Sequence, residues 1–339
     1  MSLRQDSWYQ SRIFLLLSVA SLGGCAASVA AHPASSPPPS PAVLAVPGDA
    51  DLARTRDLQA AGIDPARLRC RPVTVWSTSL RAESQAAAAE LLEHLRPRLG
   101  ELAPEQQATL ADELRELVMW RLVRYELLQG ENHNFGVLPL RGRTWTDAQG
   151  KPHPLLIFRT GLTPRPAAPD SCFGSLLAEG GVRHVVNLFD GDIPAADLVA
   201  AERTAAAAAG ASYFAAEDGG AYGTWRDLLK RHPEPGEPRT RATLAVARLI
   251  REQLLAPGGE PPRGNLHVHC GGGMHRTGMV LGVVDRCLNG SSPEEVRRRY
   301  RAHVDYRDEA HPGGAEPENL RFIEEFDCRL LEGPLPAAS

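Results

Sequence analysis

The stretch Asn265-Leu266-His267-Val268-His269-Cys270-Gly271-Gly272-Gly273-Met274-His275-Arg276-Thr277-Gly278 leads directly into the apolar run Gly278–Leu288. Asn265–His269 reads as a strand, and Gly278–Leu288 has the composition of a buried helix. A strand that passes through glycines into a helix is a unit of layered α/β architecture. The same alternation extends on the N-terminal side. Leu155–Phe158, Val182–Leu188 and Ala211–Ala215 read as strands, while Leu198–Ala209 and Thr240–Leu255 have helical spacing. On the C-terminal side, Ser292 and Glu295 form a capping box, and a last amphipathic helix covers Glu318–Leu330. The fold class is therefore α/β, with a central, largely parallel sheet flanked by helices.

The chain before this region divides into three parts. Residues 1–25 read as a targeting segment, with Arg4 and Arg12 preceding the short apolar run Ile13–Leu22. Leu22-Gly23-Gly24-Cys25 resembles a bacterial lipobox, in which Cys25 becomes the lipid-bearing N-terminus. An exported protein held on the outer side of a bacterial membrane is the expectation. Residues 26–69 are assigned to a disordered tether, on the strength of the Ala-, Ser- and Pro-rich stretch Ala26–Val46. Residues 70–130 form a helical accessory segment. It has one helix over Ala82–Leu95, which Pro97 is expected to interrupt, and a second between Pro104 and Gly130. Leu110, Leu114, Leu117, Leu122, Tyr125 and Leu128 give the second helix an apolar stripe, suited to packing on the main domain or to capping a site. Residues 131–333 make up the α/β domain.

The formal net charge of −4 provides no general attraction to nucleic acid, so any phosphate recognition must be local. Besides Cys25 and Cys270, the cysteines are Cys70, Cys172, Cys287 and Cys328, which allow three full pairings. Export permits disulfides. Cys287, on an apolar helix, is expected to be a buried thiol.

The turn after His269 has a definite chemical capacity. Its glycines allow backbone N–H groups to face inward as an anion nest, and the following helix adds its positive end. Arg276 offers a planar fork for two phosphate oxygens. Such surroundings favour the thiolate form of Cys270, placed for in-line attack on phosphorus. His269, Cys270, Arg276 and Thr277, with Gly273 and Gly278, resemble the His-Cys-x5-Arg-Ser/Thr signature of the protein tyrosine and dual-specificity phosphatase superfamily.

That resemblance implies a three-layer phosphotyrosine-phosphatase-like fold and hydrolysis of phosphomonoesters through a phosphocysteine. It implies that Gly271, Gly272, Gly273, Met274, His275 and Arg276 bind the phosphoryl group, that Thr277 stabilises the departing thiolate, and that His269 supports the loop. No metal or cofactor is implied, because Arg276 and the amides supply the positive field. The general acid implied is Asp218, after the strand Ala211–Ala215, with Asp227 and Glu217 as alternatives. Asp218 lies 52 residues before Cys270 (270 − 218), a long gap for the family, and Tyr222–Pro238 has the character of an insertion.

Phe158-Arg159-Thr160-Gly161 matches a second family segment, expected to brace the sheet. Phe189-Asp190 stands where the family often has an Arg. The substrate classes open are phosphoproteins, small phosphomonoesters and phosphoinositides or inositol phosphates; the last are disfavoured by a loop without lysine. A non-catalytic phosphate-binding module is a further alternative. Two other readings remain: a metal site from His267, His269, Cys270 and His275, and Arg297, Arg298, Arg299 and Arg301 as either a solvated, acid-paired face or an anion-attracting rim.

Overall fold

Strands with apolar residues on both faces require helices on both sides of the sheet, and the chain meets that requirement. The computed structural model describes residues 49–72, 78–99, 102–129, 132–189, 195–215, 237–304 and 316–332. These all belong to one compact unit, Pro47–Ser339. In chain order the elements are α1 (Asp49–Ala60), α2 (Thr78–Leu99), α3 (Pro104–Gln129), β1 (Gly136–Thr146), β2 (Pro152–Thr160), α4 (Cys172–Ala178), β3 (Val182–Asn187), α5 (Ala195–Ala208), β4 (Ser212–Ala215), α6 (Glu237–Leu249), β5 (Asn265–His269), α7 (His275–Cys287), α8 (Pro293–Arg301) and α9 (Glu316–Glu325).

The sheet has five strands in the order β1-β2-β5-β3-β4. Strand β1 runs antiparallel to β2, and the remaining pairs are parallel. Alternation along β2 divides the core in two. Leu155 and Ile157 pack with α6, α7, α8 and α9, whereas Leu156 and Phe158 pack with α1, α4 and α5. Strand β5 is the middle strand, buried along its whole length, so whatever follows it emerges at the centre of the domain.

Strand β1 was not legible in the sequence, because Pro139 argues against a sheet interior. An edge strand tolerates it, since the missing N–H need not serve the ladder. The tether assigned to residues 26–69 is too long. Asp49–Ala60 is helical, and Leu58, Ala61, Ile63 and Leu68 enter the second core cluster, burying apolar surface that a free linker would expose. Residues 26–48 lie outside the described residues. Pro97 does not interrupt α2, which continues to Leu99; a proline near a helix end removes only one backbone donor there. Helices α2 and α3 pack against each other. Leu114 is buried and Leu122 packs against the first core cluster, but Leu117 stands exposed.

The expectation for Cys287 is also corrected: it is bonded to Cys328, tying the end of α7 to the C-terminal turn. The second disulfide joins Cys70 to Cys172 at the start of α4. Beside it, Arg69 N donates to Ser175 Oγ at 2.9 Å, and Arg67 pairs with Glu179 at 2.8 Å.

Three buried histidines, His133, His184 and His267, and the half-buried His303 sit in settings that resist protonation. His133 accepts a hydrogen bond from Arg71 N through Nδ1 at 2.8 Å, so that nitrogen must be unprotonated. Burial, aided by the Arg71 charge, draws its pKa down to about 4. Burial takes His184 to about 4 as well, against a raising contribution from Gln253. His267 and His303 are held well below the ordinary value, mainly by burial. In the unfolded chain these rings take up protons below about pH 6.5. Unfolding therefore binds protons between about 6.5 and 4, and stability falls as pH falls through that window. His133 and His184 each contribute up to about 3 kcal/mol, and His267 and His303 act in the same direction. The urea midpoint is expected to be distinctly lower at pH 4.5 than at pH 7.5; an unchanged midpoint would contradict the buried neutral rings.

Candidate active site

The loop 270–274 leaves the carboxyl end of β5, where ligands of open α/β sheets gather. Its shape is held from outside through three consecutive carbonyls. Gly271 O accepts from Leu162 N at 3.0 Å, Gly272 O accepts from Asn134 Nδ2 at 2.8 Å, and Gly273 O accepts from Arg159 Nη2. A trans peptide carries its N–H opposite its C=O, and the chain contains no cis peptide bond among the described residues. The amides of Gly272, Gly273 and Met274 consequently point away from those three clamps, toward the concave side of the loop. No acceptor among the described residues takes them. Three unengaged donors in one short loop are an arrangement that can take an anion.

Two glycines are sterically required here. Gly273 has φ +65°, and a Cβ on it would collide with the Thr160 carbonyl; a Cβ on Gly271 would lie 2.7 Å from the Phe189 ring. Helix α7 begins at His275, earlier than the sequence spacing indicated, and its N-cap Met274 provides no side-chain cap. The first-turn amides therefore add to the positive end of the helix. Arg276, in that turn, donates from Nη1 to Leu188 O at 2.6 Å, with its guanidinium carbon 5.7 Å from the centroid of the Phe189 ring.

Cys270 sits at the base of the loop, 4% exposed, in the apolar layer with Leu188 and Met274. It is free of any disulfide, whereas Cys70, Cys172, Cys287 and Cys328 are all paired. The Thr277 hydroxyl is fully buried and reaches no hydrogen-bond partner, the Cys270 sulfur included.

The opposite face of β5 carries a different cluster. The rings of His267 and His269 stack with centroids 4.9 Å apart. His267 Nε2 is 2.9 Å from Thr160 Oγ1. His269 Nε2 is 3.1 Å from Glu202 Oε2 but is not aligned for a hydrogen bond. Glu202, fully buried on α5, accepts from Tyr213 OH at 2.9 Å, and that oxygen accepts from Asn187 Nδ2 at 2.9 Å. The His269 side chain thus faces α5, and its backbone O receives Leu188 N at 2.7 Å, tying the loop's root to the end of β3. The four residues of the metal reading are not gathered: His267 and His269 lie on this face, and Cys270 lies in the other layer.

Of the sequence-derived site, Cys270 through Thr277 come together in one turn. Asp218, Asp227, Glu217, Asp190 and Cys25 lie outside the described residues. Arg159 is reassigned from bracing the sheet to clamping the loop at Gly273. Within the arginine run, Arg299 makes two contacts to Asp285, at 2.7 and 2.8 Å, and pairs with Glu295, while Arg297 pairs with Glu324. Those two favour the acid-paired face.

Sequence reasoning missed Asn134. It adopts φ +51°, donates to Gly272 O and His303 O, and its Oδ1 lies 2.7 Å from His303 Nδ1. The only local signal was an Asn, a residue that tolerates left-handed backbone, before an aromatic and a glycine. No family model matches the chain, and a search of curated proteins found no match to it.

Proposed function

We propose that this chain is a cysteine-dependent phosphatase of the protein tyrosine and dual-specificity type, hydrolysing phosphomonoesters through a phosphocysteine. The observation that carries this reading is the set of unengaged amides at Gly272, Gly273 and Met274, in the loop that begins at the one unpaired cysteine among the described residues. The amides and Arg276 hold the phosphoryl oxygens. The Cys270 sulfur bonds to phosphorus as the ester P–O bond breaks, and the leaving oxygen takes a proton from the acid, for which Asp218 is the candidate. Water then attacks phosphorus, the P–S bond breaks, and inorganic phosphate leaves. Thr277, whose buried hydroxyl has no other partner, is available to the departing sulfur anion.

The substrates are phosphorylated proteins, on tyrosine or on both tyrosine and serine/threonine, or small phosphomonoesters. A loop of Gly, Gly, Gly, Met and His has no lysine to match a polyphosphorylated inositol. The test is p-nitrophenyl phosphate hydrolysis by the wild type and Cys270→Ser, followed by phosphopeptides and inositol phosphates side by side. Turnover confined to inositol phosphates would overturn the substrate class while leaving the chemistry intact.

We further propose export and lipid anchoring through Cys25. Two disulfides within the folded unit support an oxidising destination. Cys25→Ser is expected to move the chain from the membrane fraction to the soluble fraction of the expressing bacterium; a chain that stays with the membrane would refute the anchor.

A further inference from the structure

Arg159 is a buried cation for which the fold provides no anion. It is 6% exposed, on the face of β2 that meets α7 and α8. Its one hydrogen bond goes to a neutral acceptor, Gly273 O, and its Nε has none. Among the described residues no carboxylate lies within ion-pair distance of it. Its neighbours are Gly136, Gly278 and Tyr300, none of which carries negative charge; the Tyr300 hydroxyl is engaged by Asn319 Nδ2 at 2.7 Å. A guanidinium does not shed its proton in a protein, and burying it unpaired costs several kcal/mol. Such a residue is retained where an anion arrives to balance it.

Resting on the reading of Cys270 as a thiolate nucleophile, we propose that Arg159 is a second cation of the site, balanced by the Cys270 thiolate and, during turnover, by the substrate phosphoryl group. It acts as a positioning residue. It shapes the Gly273 peptide through its hydrogen bond and stabilises the sulfur anion through its charge. Burial pulls the Arg159 pKa down to about 10, against raising contributions from Cys270 and, behind it, Tyr300. Its charge also helps keep His303 neutral, together with Arg54 and behind the main effect of burial.

The other titratable groups around the loop come from every flank. Helix α7 contributes His275 and Arg276, α8 contributes Tyr300 with His303 beyond its end, and the far face of β5 carries His267 and His269 beside Glu202. Arg276 is the other permanent cation, so the loop has one on each side: Arg276 beside β3, and Arg159 from β2.

The test measures the pH dependence of Cys270 alkylation by iodoacetamide in the full chain, followed by mass of the peptide that contains Cys270. Arg159→Gln removes the charge but retains an amide donor for Gly273 O; Arg159→Lys retains the charge; Arg159→Met is a second neutral variant should the Gln variant not fold. In the neutral variants the alkylation midpoint is expected to move up by about one pH unit, with inorganic phosphate protecting Cys270 about tenfold less well. Arg159→Lys should stay within a few tenths of the wild-type midpoint. A depressed wild-type midpoint that is unchanged in Arg159→Gln or Arg159→Met would overturn the role of Arg159 and leave the nucleophile standing. A wild-type midpoint near that of a free thiol, about 8.5, would overturn the nucleophile reading itself.

Discussion

Replacing Cys270 by Ser is expected to lower p-nitrophenyl phosphate hydrolysis by about 10⁴-fold or more, with little change in stability. The first part follows from the site, where no other described side chain offers a nucleophile at the base of the loop. A serine hydroxyl in its place would need a general base, and the nearest imidazole on β5, His269, faces the other side of the sheet. The second part follows from size, since the hydroxyl fits the volume of the thiol. Placing it in the apolar layer beside Leu188 and Met274 costs roughly 1 kcal/mol. The measurement pairs initial rates with thermal melts. Activity that survives the substitution would assign the chemistry to another residue, and a collapsed melt would make Cys270 a packing thiol.

Removing the Cys70–Cys172 disulfide is expected to have the largest effect on stability. Its partners are 102 residues apart, and in the chain-entropy description a loop of that length contributes about 4 to 5 kcal/mol. The bond also fastens α1 and the segment after it, whose Leu58, Ile63 and Leu68 belong to the second core cluster, to α4. For a domain of this size the loss corresponds to a melting temperature lower by about 10 °C. Cys70→Ser with Cys172→Ser should show this in calorimetry. Activity at 25 °C should remain within about threefold, because none of the three carbonyl clamps of the loop runs through the bond. An unchanged melting temperature would mean that the segment is held by its hydrogen bonds and ion pair alone.

The parts of this protein legible in sequence are those encoded over short range. Asn265–His269 and Val182–Asn187 declare themselves by apolar pattern, and the Ser292 cap contacts Glu295 N three residues away. Strand β1 escaped because Pro139 is acceptable only at a sheet edge, and edge position is decided by which strands pair. The extent of folded chain before α2 escaped for a related reason. Helix α1 has no amphipathic pattern of its own to announce it, and its burial depends on the cover that α4, β2 and Phe135 provide.

By itself the sequence determined the α/β class and the turn that joins β5 to α7, with Cys270 and Arg276 in place, because a strand period, consecutive glycines and a helix start are local features of the chain. Strand alternation in the sequence also separates His267 and His269 from Cys270; only the tertiary structure decided the cysteine pairing and the clamps from Asn134, Arg159 and Leu162 on the loop carbonyls. The physical reason is distance along the chain. The three clamps and the Cys70–Cys172 bond join residues more than 100 apart, and Cys287 lies 41 residues from Cys328; nothing in their local sequence specifies where the fold will bring them.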